Sequence, residues 1–256
     1  MIITKQAEEL NDELKECNAS VFEMLSEKGK AIYFPKEGIV AQGAQAKGKR
    51  LNATIGVAVE DDGSPARLNC IGSKIGIDPK DAFLYAPSQG RNDLREEWKK
   101  QIIKKNPSLQ SQISLPMVTS ALTHGISIAG YLFLNENDTV ILPDLYWGNY
   151  KLIFTNWFGA KIETFNTFSN GGFDVAAMKS KLMGGGKKVL LLNFPNNPCG
   201  HTPSKEEAVA IIVAVKDAAE AGSKIVVIVD DAYFGLFYEN ETEKESLFSK
   251  LANLHE

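Results

Sequence analysis

From residue 117 onward the sequence alternates short unbroken apolar runs with longer stretches in helical rhythm, and this alternation limits the folds open to the chain. The runs Thr139-Val140-Ile141-Leu142, Val189-Leu190-Leu191-Leu192 and Ile225-Val226-Val227-Ile228-Val229, with the mixed stretch Lys161–Phe165, predict strands. Helical spacing predicts helices at Thr123–Leu134, Tyr150–Phe158, Asp174–Met183 and Ser204–Ala221. A strand apolar at every position is buried on both faces, and a helix between successive strands supplies a parallel crossover. The fold class is therefore α/β: a mainly parallel sheet with helices on both faces. In such sheets ligands gather at the carboxyl ends of the strands.

The first part of the chain is less regular. Leu10, Leu14, Cys17, Val21 and Leu25 recur at helical spacing, with Gly29 as a stop, and predict one amphipathic helix. From there to about residue 90 glycines recur, as at Gly38, Gly43, Gly48, Gly56 and Gly63, and the segment is expected to wrap over another part of the molecule. A further helix fits Asn92 to Asn106, with Leu94, Trp98 and Ile102 on one stripe and Pro107 beyond it. The expected division is 1–50, an N-terminal helix and arm, and 51–256, a larger sheet domain.

Composition narrows the function. With 28 Lys plus Arg against 32 Asp plus Glu, the formal charge is -4, which argues against a nucleic-acid partner. The basic stretch Trp98–Lys105 reads as a solvated helix face. The longest apolar run is far short of the ~20 residues a membrane-spanning helix needs. Cys17, Cys70 and Cys199 form no CxxC pair, and no signal or transit pattern opens the chain, so a cytoplasmic setting is expected. His124, His201 and His255 show no metal-ligand spacing, and no metal is expected. His124 reads as a partly exposed histidine at a helix start, Cys199 as a small buried filler, and Gly184-Gly185-Gly186 as a flexible helix exit.

Four pieces fall at strand ends or at a helix start. Thr119-Ser120-Ala121-Leu122-Thr123 opens a helix; Leu145-Tyr146-Trp147 follows the first strand; Phe194-Pro195-Asn196-Asn197-Pro198-Cys199-Gly200 follows the third; Asp230-Asp231-Ala232-Tyr233 follows the fourth. A helix N-terminus with free N–H groups and a Thr hydroxyl suits a phosphate. A Trp supplies a stacking face, an Asn and a Tyr neutral hydrogen-bonding groups, and an Asp a fixed negative charge.

These pieces, in this order, resemble the class I aminotransferases, enzymes of the aspartate aminotransferase fold (fold type I) that use pyridoxal 5'-phosphate. Phe194–Gly200 is similar to the family's N-P-x-N-P-x-G, Asp230–Tyr233 to its D-x-A-Y, and Tyr85-Ala86-Pro87-Ser88-Gln89-Gly90 with Leu94-Arg95 to its Y-x-x-x-x-G-x-x-x-L-R; the match runs from about residue 50 to the end. The resemblance implies an incomplete large domain plus an N-terminal part of a small domain. It implies that Asp230 pairs with the pyridine nitrogen, that Asn197 and Tyr233 hydrogen-bond the ring's phenolic oxygen, and that Trp147 stacks on the ring. Leu122 and Thr123 are implied as phosphate ligands, Tyr85 as a phosphate ligand of the neighbouring subunit in a homodimer, and Gly56 as the backbone beside an amino acid or 2-oxo acid substrate.

Ala121, Phe194 and Leu145 depart from the family pattern, but a larger departure is an absence. The family's Schiff-base lysine lies in a Ser-x-Ser-Lys-type stretch on a later strand, and only Lys244 and Lys250 follow Asp230. Leu247, Phe248, Leu251 and Leu254 give Lys250 a helical setting, so it reads as a helix-surface lysine. This sequence therefore contains no catalytic residue of its own: the lysine is expected beyond Glu256, and this fragment of a parent aminotransferase is expected not to transaminate alone. The alternatives are a non-catalytic ligand-binding module of the same fold and a pyridoxal-phosphate-dependent lyase; a nicotinamide-dependent oxidoreductase fits the sheet but lacks the glycine fingerprint.

Overall fold

The structure, a computed structural model, describes residues 3–33, 38–54, 56, 58–78, 82–83 and 85–254; His255 lies outside them. The residues group into two compact units, Met1–Ala86 and Pro87–Glu256.

In the first unit, α1 (Lys5–Met24) begins where the Thr4 hydroxyl accepts the Ala7 N–H. The expected single helix is broken at Asn18, whose backbone is extended and whose side chain accepts the Val21 N–H at 3.2 Å. An Asn competes with the helix for its own backbone donors, and here it restarts the helix. The helix ends before Gly29, and α2 (Glu27–Ala31) starts under a Ser26 cap. The predicted stripe is only partly covered: Leu14 and Leu25 are half-buried, while Leu10, Cys17 and Val21 are exposed. Two short helices follow, α3 (Ile39–Gln45) and α4 (Asn69–Gly72), and Leu51, Leu68, Ile75 and Phe83 stay exposed.

The second unit holds the sheet. After α5 (Asn92–Lys105) and α6 (Leu122–Phe133), the chain runs through β1 (Thr139–Pro143), α7 (Asn149–Lys151), a π-helical turn at Leu152–Trp157, and β2 (Lys161–Phe165). A small hairpin of β3 (Phe168–Ser169) and β4 (Gly172–Phe173) precedes α8 (Val175–Leu182), β5 (Gly186–Asn193), α9 (Lys205–Glu220), β6 (Ser223–Asp230) and α10 (Leu247–Ala252). β1, β2, β5 and β6 form a four-stranded parallel sheet in the order β2-β1-β5-β6.

β1 and the second half of β5 are continuously buried, β6 is largely half-buried, and β2, at the sheet's edge, is mostly exposed. Alternate residues of β5 face opposite ways: Leu190 and Leu192 pack with Met178, Leu182, Ile211 and Ala214, and Val189 and Leu191 with Ile126, Tyr150 and Phe154. Burying each such aliphatic side chain contributes about 1.5–3 kcal/mol. Where a plain helix is predicted over Tyr150–Phe158, the π turn occurs instead, and it keeps Tyr150, Ile153 and Phe154 buried together. α9 starts in a reciprocal cap, with Ser204 accepting the Glu207 N–H and Glu207 accepting the Ser204 N–H. Gly184, Gly185 and Gly186 all take positive φ (92°, 73° and 69°), so the triplet is a defined reversal that delivers the chain into β5.

β6 pairs with β5 on one side, and a groove of about 530 Å³ runs beside it between α5, Phe234 and Phe248. The predicted α5 stripe lines this groove, with Trp98 exposed and Ile102 half-buried. No described helix is long and apolar enough to cross a membrane.

Candidate functional site

Because β1, β5 and β6 are parallel, their carboxyl ends lie along one edge, and the residues following each strand meet there. The register sets Asn193 opposite Asp230 at the ends of β5 and β6. A small cleft of about 60 Å³ opens over these ends, lined by Leu122, Trp147, Tyr150, Asn193, Asn197, Asp230, Ala232 and Tyr233. Five residues singled out from the sequence, Leu122, Trp147, Asn197, Asp230 and Tyr233, are thus brought together.

Asp230 forms the floor and is only 3% exposed. One carboxylate oxygen accepts the Ala232 N–H at 3.0 Å, and the other accepts the Tyr150 hydroxyl. Burial and the neighbouring carboxylate push the Tyr150 hydroxyl far above the ordinary tyrosine pKa, so Tyr150 remains a donor. Its ring also meets Trp147 edge-to-face at 5.5 Å, and Trp147 is half-buried. At the rim the Asn197 amide donates to the Tyr233 hydroxyl oxygen at 3.2 Å, which leaves the tyrosine O–H free to point elsewhere.

The start of α6 supplies backbone donors. Ala121, the residue before the helix, has φ 71° and ψ 176° and offers no side-chain cap, so the first N–H groups lack a local acceptor. Thr123 is exposed in this first turn, beside Leu122. His124 is exposed, and its Nδ1 accepts the Ser120 N–H at 3.1 Å, an internal bond that steadies the loop. Tyr85 and Gly56 belong to the first unit, where both are exposed.

The turn bearing Asn197 departs from expectation at its end. Cys199 is an exposed residue, not a buried filler; its thiol donates to Asn196 Oδ1 at 2.9 Å, because the tight turn directs it outward. The filler is Phe194, 8% exposed, packed on Phe173 and His201. His201, isolated in sequence, sits among Phe168, Phe173 and Phe194, and burial holds its pKa below the ordinary histidine value. Lys250 lies in α10 as expected, but it is 24% exposed and paired with Glu243 at 3.2 Å. No lysine among the described residues lines the cleft. Among the described residues no cluster of His, Cys, Asp or Glu could hold a metal ion.

Three contributors were missed in the sequence: Tyr150, Asn193 and Asn196. The available signal was a polar residue closing an otherwise apolar strand (Asn193) and a tyrosine in a run that packs on the sheet (Tyr150).

The arrangement has known counterparts. The family model "Aminotransferase class I and II" matches residues 73–256, and the chain belongs to this family. A probable N-acetyl-LL-diaminopimelate aminotransferase of Bacillus subtilis is 29% identical over 158 residues, 60% of this chain and 38% of that protein. A tyrosine aminotransferase of Dictyostelium discoideum is 28% identical over 60% of this chain and 35% of its own length. Among solved structures, an aminotransferase from Anaerococcus prevotii superposes with a TM-score of 0.74 and 27% identity, over 91% of this chain and 59% of that one. The cytoplasmic aspartate aminotransferase of Saccharomyces cerevisiae, at 19% identity and TM-score 0.62 over 83% of this chain and 52% of that one, shares the fold. The fold is thus that of the pyridoxal-phosphate-dependent transferases, and the chain spans less than two fifths of these curated relatives.

Proposed function

We propose that this chain is the cofactor-cradling part of an aminotransferase that moves an amino group between an amino acid and a 2-oxo acid. Pyridoxal phosphate, when bound, supplies an electron sink for the carbanion formed at the substrate Cα. The supporting observation is the cleft that gathers a buried carboxylate, an indole wall and a neighbouring amide–phenol pair.

The residues fit such a group. Asp230 is the acceptor for a protonated ring nitrogen, and the Tyr150 hydroxyl and the Ala232 N–H orient its carboxylate. Tyr233 O–H and Asn197 N–H are donors for the phenolic oxygen, and Trp147 covers one ring face. The uncapped start of α6, with Leu122, Thr123 and the Thr123 hydroxyl, is the phosphate end. Tyr85 reaches the phosphate of a partner copy in a homodimer, and Gly56 lies beside the substrate. Residues 1–50 contribute to a small domain and 51–256 to the large one. The Schiff-base lysine of the parent aminotransferase is not assigned to any of the described lysines, Lys250 being paired with Glu243 in α10. This chain alone binds the cofactor without transaminating.

Pyridoxamine phosphate, which carries an amine in place of the aldehyde, forms no adducts on surface lysines and is the appropriate probe. Titration followed by tryptophan fluorescence and near-ultraviolet circular dichroism is expected to saturate, and Asp230→Ala to lose binding at least tenfold. Non-saturable binding, or binding indifferent to Asp230→Ala, refutes the proposal. Borohydride reduction with pyridoxal phosphate and peptide mapping is expected to leave Lys250 unlabelled.

A further inference from the structure

The cleft stands on three segments that begin at strand ends: 143–150, from the last residue of β1 into α7, 193–200, from the last residue of β5, and 230–233, from the last residue of β6. Loops are the mobile parts of a fold unless their backbone groups are bonded to something fixed. Here each loop is tied to the other two by a side chain that is almost completely buried.

Asn193, 3% exposed, joins the second loop to the third: its Oδ1 accepts the Asn197 N–H at 2.8 Å, and its amide donates to the Asp230 carbonyl at 2.9 Å. Asn196, 5% exposed, joins the second loop to the first: its amide donates to the Leu145 carbonyl at 3.2 Å, two residues before Trp147. Its Oδ1 accepts the Cys199 N–H and thiol, and its own N–H donates to the His201 carbonyl at 2.8 Å. Tyr150, donating to Asp230, joins the first loop to the third.

The three ties close a triangle. A triangle of struts cannot shear without breaking one strut, whereas three loops tied in a line can. Buried amides that satisfy both donor and acceptor are worth more than exposed ones, because opening any tie strands a polar group away from water.

We propose that Asn193 and Asn196 are positioning residues: together with Tyr150 they brace the three loops, and so fix the Asp230 carboxylate relative to Trp147 and Asn197. This rests on the cofactor reading of the cleft. Asn196 does not line the cleft, so any effect it has on a ligand there travels through the brace.

The test uses the whole chain with pyridoxamine phosphate. Asn196→Leu and Asn193→Leu are expected to weaken binding at least tenfold. They are also expected to lower the pKa of the bound ligand's pyridine nitrogen, read from its ultraviolet absorbance against pH, towards that of the free ligand. That pKa reports how closely Asp230 is held against the ring; a loss of general stability leaves it where it is in the molecules that bind. Binding and pKa equal to wild type overturn the proposal, as does weakened binding with an unmoved pKa. If the variants do not fold, amide hydrogen exchange on the ligand-free wild type decides. The Asn197 and Cys199 N–H groups are expected to be protected like strand amides, and exchange at the rate of open loops refutes the brace. If wild type does not bind the ligand at all, the cofactor reading fails, while the exchange measurement still judges the brace.

Discussion

Replacing Ala121 by glycine is expected to stabilise the chain. Ala121 has φ 71° and ψ 176°, a conformation populated almost only by glycine, because a Cβ there crowds the adjacent peptide groups. The surroundings enforce it: the Ala121 N–H donates to the Thr119 carbonyl and the Thr119 hydroxyl to the Ala121 carbonyl, both at 2.9 Å. Such a residue costs about 1–3 kcal/mol. Glycine removes that strain but gives the unfolded chain extra freedom, worth roughly 0.5–1 kcal/mol. The difference is a gain near 1 kcal/mol, or about 2–4 °C in Tm for a domain of this size. Urea unfolding followed by circular dichroism measures it as a rise in midpoint at unchanged slope. Ala121→Val, with a branched Cβ in the same conformation, is expected to lower the midpoint. A lower midpoint for Ala121→Gly, or an unaffected Ala121→Val, refutes the strain argument.

Other predictions follow from the buried groups. Asp231 is pushed up to about 6 from 3.8, first by burial and further by Asp230, against the Ser246 hydroxyl that donates to it at 2.7 Å. The folded chain therefore holds this proton more tightly than the unfolded one; the contribution is full below about pH 4 and lost as pH rises through about 6. Asp231→Asn is expected to gain about 1–3 kcal/mol over wild type at pH 8 and little at pH 4, measured by urea unfolding at both. Tyr150→Phe removes a donor from the Asp230 carboxylate and is expected to weaken pyridoxamine phosphate binding about tenfold with the fold retained, checked by titration. Leu192→Ala, at a fully buried position of the central strand, is expected to cost about 2–5 kcal/mol by the same urea assay.

The inner strands of the second unit were legible because burial on both faces imposes unbroken apolar runs, as at Val140–Leu142 and Val189–Leu192, a pattern local in sequence; the edge strand β2, with Lys161, Glu163 and Thr164, lacks that run. The strand-end motifs were legible for a related reason: a parallel sheet puts such residues at one edge. What escaped was set by individual side-chain hydrogen bonds, some local and some distant, which leave no period in the sequence. Asn18 breaks a helix whose apolar stripe is only partly covered. Cys199 is exposed in a tight turn where Asn196 Oδ1 accepts its N–H and thiol. Tyr150 sits 80 residues from the carboxylate it serves.

By itself the sequence determined the α/β class, the order of the elements and the pieces that resemble a cofactor cradle, since periodicity and short motifs are local quantities. Only the tertiary structure decided that Asn193, Asn196 and Tyr150 close three loops into one frame. A hydrogen bond between groups far apart in the chain leaves no local period, and whether an asparagine is a solvated turn residue or a buried strut depends on what folds over it.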